Sequence, residues 1–136
     1  AEMLRGHLPQ AMQGLAVVPI FAGFDPAHEA GRLFQFDVTG GRYEEQDFAT
    51  SGSGSLHAGT VVKLGYSRDL SESEALFLAV KALWHAADED SATGGPDPIR
   101  GIYPVLAVID GEGFRQLSDE ESGAVFADFR HELTEG

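Results

Sequence analysis

Three strand-like runs follow one another with only short turns between them, and this succession constrains the fold more than any other feature. The runs cover residues 17–24, 31–38 and 43–50, and the turns between them carry an Asp-Pro pair and a Thr-Gly-Gly sequence. Turns this short join antiparallel strands, whereas parallel strands need a crossover of a dozen or more residues. The pattern predicts an antiparallel meander and argues against alternating βαβ units.

Two runs are apolar enough to predict strands that are buried on both faces. They are residues 17–24 and residues 102–109. Continuous apolar sequence, unlike strict alternation, is typical of strands that are covered on both sides. A turn at residues 111–113 then leads to a further short strand over residues 114–117.

Helical periodicity accounts for the remaining ordered segments. It runs through Leu4, Leu8 and Met12 without a preceding capping residue, which indicates a helix entered partway. It returns at residues 56–64, at residues 71–87 and from residue 118 onward. The last two helices each open with a Ser-x-x-Glu capping box. The apolar arc of the third helix is wide, so we expect it to be covered on more than one side.

The charge balance limits the partners of the chain. It carries 22 acidic residues against 9 Lys and Arg, a formal net charge of −13 over 136 residues. Phosphate-rich partners need cations to meet them, which argues against nucleic acid and anionic membranes. With no cysteine, the chain has no disulfide framework and no thiolate metal site. No linker or repeat divides it, so we treat it as one domain or a large piece of one.

Residues 51–55 (SGSGS) join a strand-like run to a helix and have two readings. One is an anion cradle at a helix N-terminus. The other, which the residues alone favour, is a plain turn with a serine as helix cap. The spacing fits neither the dinucleotide fingerprint nor a phosphate-binding loop.

A second polar loop, residues 88–94, begins like a calcium loop but lacks the glycine and terminal glutamate of one. Carboxylates at a helix C-terminus oppose the helix dipole, which suggests that they have a function. The five histidines are scattered, with no i, i+4 pair for a metal and no spacing that marks a Ser-His-Asp triad.

Five segments, taken together and in order, resemble the 20S proteasome β-subunit of the actinobacterial type. They are residues 11–19 (AMQGLAVVP), 40–45 (GGRYEE), 51–55 (SGSGS), 90–97 (DSATGGPD) and 100–104 (RGIYP). Any one of these segments is a weak match by itself, whereas the five together are specific for the family. Residues 90–97 carry the most weight.

The resemblance implies an α+β fold, the four-layer αββα sandwich of N-terminal-nucleophile hydrolases. It implies that residues 1–136 are a single partial domain, the C-terminal half of the subunit. In this family a threonine, exposed at the chain start by propeptide cleavage, attacks the peptide bond while its own α-amine accepts the proton. Because the chain begins at Ala1, that threonine and its supporting aspartate and lysine are absent. We expect this polypeptide alone to be inactive.

The resemblance assigns three supporting residues and no cofactor or metal. Ser53 matches the serine whose hydroxyl bonds the threonine amine. Asp90 matches the carboxylate that orients that serine and the amine. Thr93 stands where many relatives have a serine that completes the network.

The resemblance also implies partners and a place in the cell. The partners are other β-subunits, the α-subunit rings of a 20S core particle, unfolded polypeptide substrates and, indirectly, an ATPase ring activator. The implied location is the cytoplasm. Neither nucleic acid nor a membrane is an expected partner. The alternative is a non-catalytic ring-assembly subunit, which need not retain Ser53, Asp90 and Thr93. Residues 94–97 (GGPD) argue against the related two-ring bacterial protease.

Overall fold

The computed structural model describes residues 20–36, 39–90, 93–95, 97 and 99–135. The helix expected around residues 4–12 lies outside these ranges. The described elements are, in chain order, β1 (Ile20–Asp25), β2 (Ala30–Phe36), β3 (Arg42–Glu45), α1 (Ser55–Gly65), α2 (Glu72–Glu89), β4 (Ala107–Asp110), β5 (Gly113–Gln116) and α3 (Asp119–Glu135).

The predicted antiparallel meander is confirmed. Strand β2 lies in the centre, with β1 and β3 on either side, in the order β1-β2-β3. Gln35 marks the register, since it stands opposite Ile20 on one neighbour and Tyr43 on the other. The third strand is shorter than expected, because the ladder ends at Glu45 rather than near residue 50. Strands β4 and β5 form a separate hairpin, also antiparallel.

Both predicted capping boxes are present. The Ser71 hydroxyl accepts from the Glu74 backbone N–H at 3.2 Å, and the Glu74 carboxylate accepts from the Ser71 N–H at 3.0 Å. Ser118 and Glu121 repeat this exchange before α3. The backbone N–H of each serine lowers the pKa of the glutamate that it bonds. The ionised carboxylates therefore favour both helix starts at neutral pH, and this contribution is lost as the pH falls through the lowered pKa.

Helix α2 is covered on two sides, as its wide apolar arc predicts. Its small residues Ala82 and Ala86 meet Ala58 of α1 in one buried cluster. On its other side Val80 belongs to a second cluster, which draws on α3 and on both ends of the β4–β5 hairpin. That cluster consists of Val80, Leu106, Leu117, Phe126 and Phe129. The helix thus connects both parts of the core.

The expectation that residues 17–24 form a strand buried on both faces is wrong for the described part. None of the β1 residues is buried, and three of the six are exposed, including Phe21 at 48% of its surface. The expectation also fails at residues 102–109. There the ladder begins only at Ala107, Val105 is 79% exposed and Leu106 alone is buried. Pro104, just before these residues, has no N–H to donate to a ladder.

The exposed apolar surface of these strands borders an open cleft of about 780 Å³. Side chains from β1, β4, α1 and α2 line it, and most of them are apolar. They include Ile20, Ala58, Val62, Ala75, Leu76, Ala79, Leu83, Val105 and Val108. The apolar runs are therefore not buried among the described residues, and part of their surface lines this cleft.

Replacing Phe129 should destabilise the fold far more than replacing Phe114. Phe129 is fully buried, with its ring centroid 5.9 Å from those of Phe77 and Trp84, whereas Phe114 is 67% exposed. We expect Phe129→Ala to cost about 3–5 kcal/mol of unfolding free energy because it leaves a cavity. Phe114→Ala should cost less than about 1 kcal/mol. Urea unfolding of the full-length protein, followed by far-UV circular dichroism, measures both; equal losses would show that the core is misplaced.

Candidate functional site

The Ser-Gly turn leads directly into α1. Gly52 has a φ of +101°, a left-handed conformation that glycine adopts readily, and Ser53 is exposed at the apex of the turn. Gly54 is buried and is the N-cap of α1, without a side-chain capping hydrogen bond. The reading of this segment as a turn is correct, but the reading of a serine as its helix cap is wrong.

Asp90 and Thr93 lie together where α2 ends. Asp90 is the C-cap residue, and its backbone N–H donates to the Ala86 carbonyl at 2.8 Å. The Thr93 hydroxyl donates to Asp90 Oδ2 at 2.7 Å, and the Thr93 N–H donates to the Asp90 carbonyl at 3.0 Å. Both side chains are half-buried. The hydroxyl directed at the carboxylate offsets part of the unfavourable position of an acid at a helix C-terminus.

Gly54 brings the turn against this carboxylate and hydroxyl. A Cβ atom added at Gly54 would lie 2.5 Å from Thr93 Oγ1, 3.2 Å from Ala86 Cβ and 3.5 Å from Asp90 Oδ2. Only a residue without a side chain fits such a gap, because real Cβ contacts do not fall below about 3 Å. The close approach places the residue next to Ser53 directly on the Asp90–Thr93 pair.

Two further residues hold the turn from its other side, and sequence reasoning missed both. The Thr50 hydroxyl donates to the Ser55 carbonyl at 3.1 Å, across the base of the turn. The Gln35 side-chain amide donates to the Thr50 carbonyl at 3.3 Å. No local pattern marks this contact, because the meander brings together residues that are 15 positions apart.

The structure thus gathers the three residues that the resemblance singled out, although not into one hydrogen-bonded chain. Asp90 and Thr93 are directly bonded. The Ser53 side chain is exposed and makes no hydrogen bond within the described ranges. Ser53 immediately precedes Gly54, the residue that packs against Thr93. Carboxylate and hydroxyl oxygens are both hydrogen-bond acceptors, the kind of group that can bind an amine.

The described residues give little support for a metal site or for a membrane-spanning helix. Among those residues, no group of three or more His, Asp or Glu side chains could hold a metal ion. None of the described helices combines the length and the apolar character needed to cross a membrane. A second cleft, of about 420 Å³, is lined by Trp84, Thr93 and Asp97 among others and lies beside the Asp90–Thr93 pair.

Comparison with known proteins identifies the class to which this fold and site belong. The family model described as "Proteasome subunit" matches residues 1–99. That match covers well over half of the chain, so the chain belongs to the proteasome subunit family.

Similar proteins within this family include subunits named proteasome subunit beta. The chain is 56% identical over 125 residues to proteasome subunit beta of Streptomyces griseus subsp. griseus, which covers 92% of this chain and 44% of that protein. It is 56% identical over 119 residues to proteasome subunit beta of Acidimicrobium ferrooxidans, covering 88% of this chain and 44% of that protein. The resemblance to β-subunits is confirmed. The chain spans less than half the length of these relatives.

A methyl group at Gly54 should disturb the site, whereas one at Gly94 should not. The Gly54→Ala methyl would overlap the Thr93 hydroxyl, while a methyl at Gly94 would meet nothing within 4 Å. We expect Gly54→Ala to cost about 1–3 kcal/mol of unfolding free energy through overpacking, and Gly94→Ala less than about 0.5 kcal/mol. Urea unfolding of the two variants of the full-length subunit tests this, and equal stability would mean that the turn does not touch Thr93.

Proposed function

We propose that the parent protein is a threonine-type endopeptidase subunit of a proteasome core particle that degrades unfolded polypeptides in the cytoplasm. In this proposal Ser53, Asp90 and Thr93 form the network that holds the attacking N-terminal threonine. The observation that carries it is the 2.7 Å hydrogen bond from Thr93 to Asp90, beside the glycine turn that presents Ser53. The similar proteins named proteasome subunit beta support the same reading.

The proposed chemistry needs an oriented amine. The threonine hydroxyl attacks the peptide carbonyl, and the α-amine of the same residue takes the hydroxyl proton. An unperturbed α-amine has a pKa of about 7.7–8.0, suited to this role near neutral pH. The Asp90 carboxylate and the Ser53 hydroxyl bond the amine and direct its lone pair. A carboxylate beside the amine favours the protonated form, so Asp90 contributes orientation more than basicity.

Thr93 orients Asp90 in this scheme. Its hydroxyl donates to Oδ2 and so fixes the direction of the carboxylate that would meet Ser53 and the amine. Its methyl group takes no part in the bond, so a serine at this position would serve equally well. No cofactor or metal enters the reaction.

The open cleft supports the proposal that residues 1–136 are one partial domain. Its apolar walls call for a covering layer, and the relatives are more than twice as long as the part that this chain matches. The cleft also reaches Thr50 and Ser51, at the base of the Ser53 turn. We propose that the additional polypeptide of the full subunit fills it, completing the four-layer αββα sandwich and delivering the threonine to the site. Other β-subunits and α-subunit rings surround that subunit in the core particle, served indirectly by an ATPase ring activator.

The second candidate function is a non-catalytic ring-assembly subunit. The Asp90–Thr93 pair disfavours it, because a subunit without chemistry has no need of an acid in the unfavourable position at a helix C-terminus, beside an exposed serine. The upstream coding sequence decides between the two candidates. A threonine that follows a cleavable propeptide supports the peptidase, and its absence supports the ring subunit.

Replacing Asp90 should impair peptide hydrolysis in the assembled particle. Asp90→Asn keeps the shape of the side chain and removes its charge, so we expect kcat to fall on the order of 100-fold or more. Ser53→Ala should cost less, since water can replace the hydroxyl, and Thr93→Ser should be nearly neutral. The measurement is kcat on a fluorogenic peptide with fully processed particles, and mass spectrometry verifies the processing.

Asp88→Asn is the matched control, because Asp88 is an exposed aspartate on the last turn of the same helix. It should leave kcat unchanged. The 136-residue polypeptide alone should show no turnover. Near-full kcat in a processed Asp90→Asn particle would refute the assigned role, and turnover by the 136-residue polypeptide would refute the need for the threonine.

The partial-domain proposal predicts that the 136-residue polypeptide self-associates when produced alone. The apolar lining of the cleft, and the edge of β1 that no described strand pairs with, are surfaces on which other chains can dock. Light scattering and sedimentation should show mixed oligomers, which the remaining part of the subunit should reduce when co-expressed. A monodisperse monomer with a cooperative thermal transition would show that the domain is already complete.

A further inference from the structure

We propose that Thr50, held by Gln35, is a positioning residue that sets the place of the Ser53 hydroxyl. This inference rests on the proposed function, since it assigns how the serine of that network is kept in position. The turn that carries Ser53 contains two glycines, and Gly54 provides no side-chain cap for α1. Within the turn the Ser55 N–H donates to the Gly52 carbonyl at 3.1 Å, and contacts outside the turn set where this unit lies on the rest of the fold.

Thr50 makes one such contact across the turn. Its hydroxyl donates to the Ser55 carbonyl at 3.1 Å, so a single bond spans the four residues of the turn and joins its two ends. Gly59, one helical turn beyond Ser55, allows this approach. A Cβ atom at Gly59 would lie 3.2 Å from Thr50 Oγ1, tighter than ordinary packing.

Gln35 ties Thr50 to the sheet. Its amide nitrogen donates to the Thr50 carbonyl at 3.3 Å from a part-buried position. Gln35 belongs to β2, which is paired on both sides, so this anchor lies on the strand of the meander that is least able to fray. The sheet thereby fixes Thr50, and Thr50 fixes the first residue of α1.

The opposite side of the turn rests on α2 through Gly54. The turn is therefore held between two supports, the sheet through Gln35 and Thr50 and the end of α2 through Ala86 and Thr93. Loss of the Thr50 hydroxyl removes only the first support, because it breaks the bond from Thr50 to the Ser55 carbonyl. The turn would stay near Asp90, but Gly52 and Gly54 would let its apex move. A displacement of about 1 Å at a reacting centre lowers rates by up to about 100-fold.

The test uses assembled, processed particles of the full-length subunit. Thr50→Val keeps the side-chain shape and removes the donor, so we expect kcat to fall about 10-fold with KM nearly unchanged. Thr50→Ser restores the hydroxyl and should recover kcat to within about twofold. Thr60→Val is the matched control, because Thr60 also donates to a carbonyl of α1, that of Leu56 at 2.9 Å, on an exposed part of the helix. It should change neither constant.

A double-mutant cycle separates positioning from general structural damage. If Thr50 acts through the Ser53 hydroxyl, Thr50→Val should have little further effect on kcat in a Ser53→Ala background. An equal loss in both backgrounds, or full kcat in Thr50→Val, would overturn the inference. If Thr50→Val particles fail to assemble, Gln35→Met removes the anchoring donor instead. It should lower kcat in the same direction by a smaller factor, and full activity there would overturn the inference equally.

The outcomes also distinguish this inference from the proposed function. Should Ser53→Ala and Asp90→Asn both retain full kcat, the proposed network itself fails. Should they lower kcat while Thr50→Val does not, only the role of Thr50 fails.

Discussion

The close packing of α1 on α2 is the constraint on which the rest of this structure depends. Ala82 and Ala86 of α2 are small enough for Ala58 of α1 to reach them, and the cluster of the three is buried. Because the helices approach so closely, Gly54 at the start of α1 comes to rest on Ala86 near the end of α2. A larger residue at either place would separate the helices and move Ser53 away from Asp90.

The other side of α2 supplies the rigidity that this contact needs. Val80 and Phe129 are fully buried, and Trp84 packs its ring against both Phe126 and Phe129. Large aromatic side chains stabilise the cluster around Val80 and Phe129. In the alanine cluster, small side chains let the two helices approach closely. The orienting role proposed for Asp90 needs such a base, because the position of a carboxylate is only as precise as that of the helix that carries it.

Local signals in the sequence predicted the elements well and the burial of strands poorly. Both capping boxes form as Ser71 and Ser118 indicate, because that interaction involves only residues three positions apart. The antiparallel meander follows from its short turns. Burial failed at Phe21 and Val105, because an apolar side chain indicates that a surface needs covering and not which part of the polypeptide covers it. At both places the surface faces the open cleft or solvent.

The sequence by itself determined the helix starts, the hairpin connections and the presence of Ser53, Asp90 and Thr93 in two polar loops, because these depend on neighbouring residues. It left the Ser-Gly turn open between two readings, and only the resemblance to a family joined the two loops in one site. The tertiary structure alone decided that Gly54 meets Ala86 and Thr93, and that Gln35 reaches Thr50. Those contacts join residues that lie far apart in the sequence, so helix packing and strand register bring them together and no local pattern encodes them.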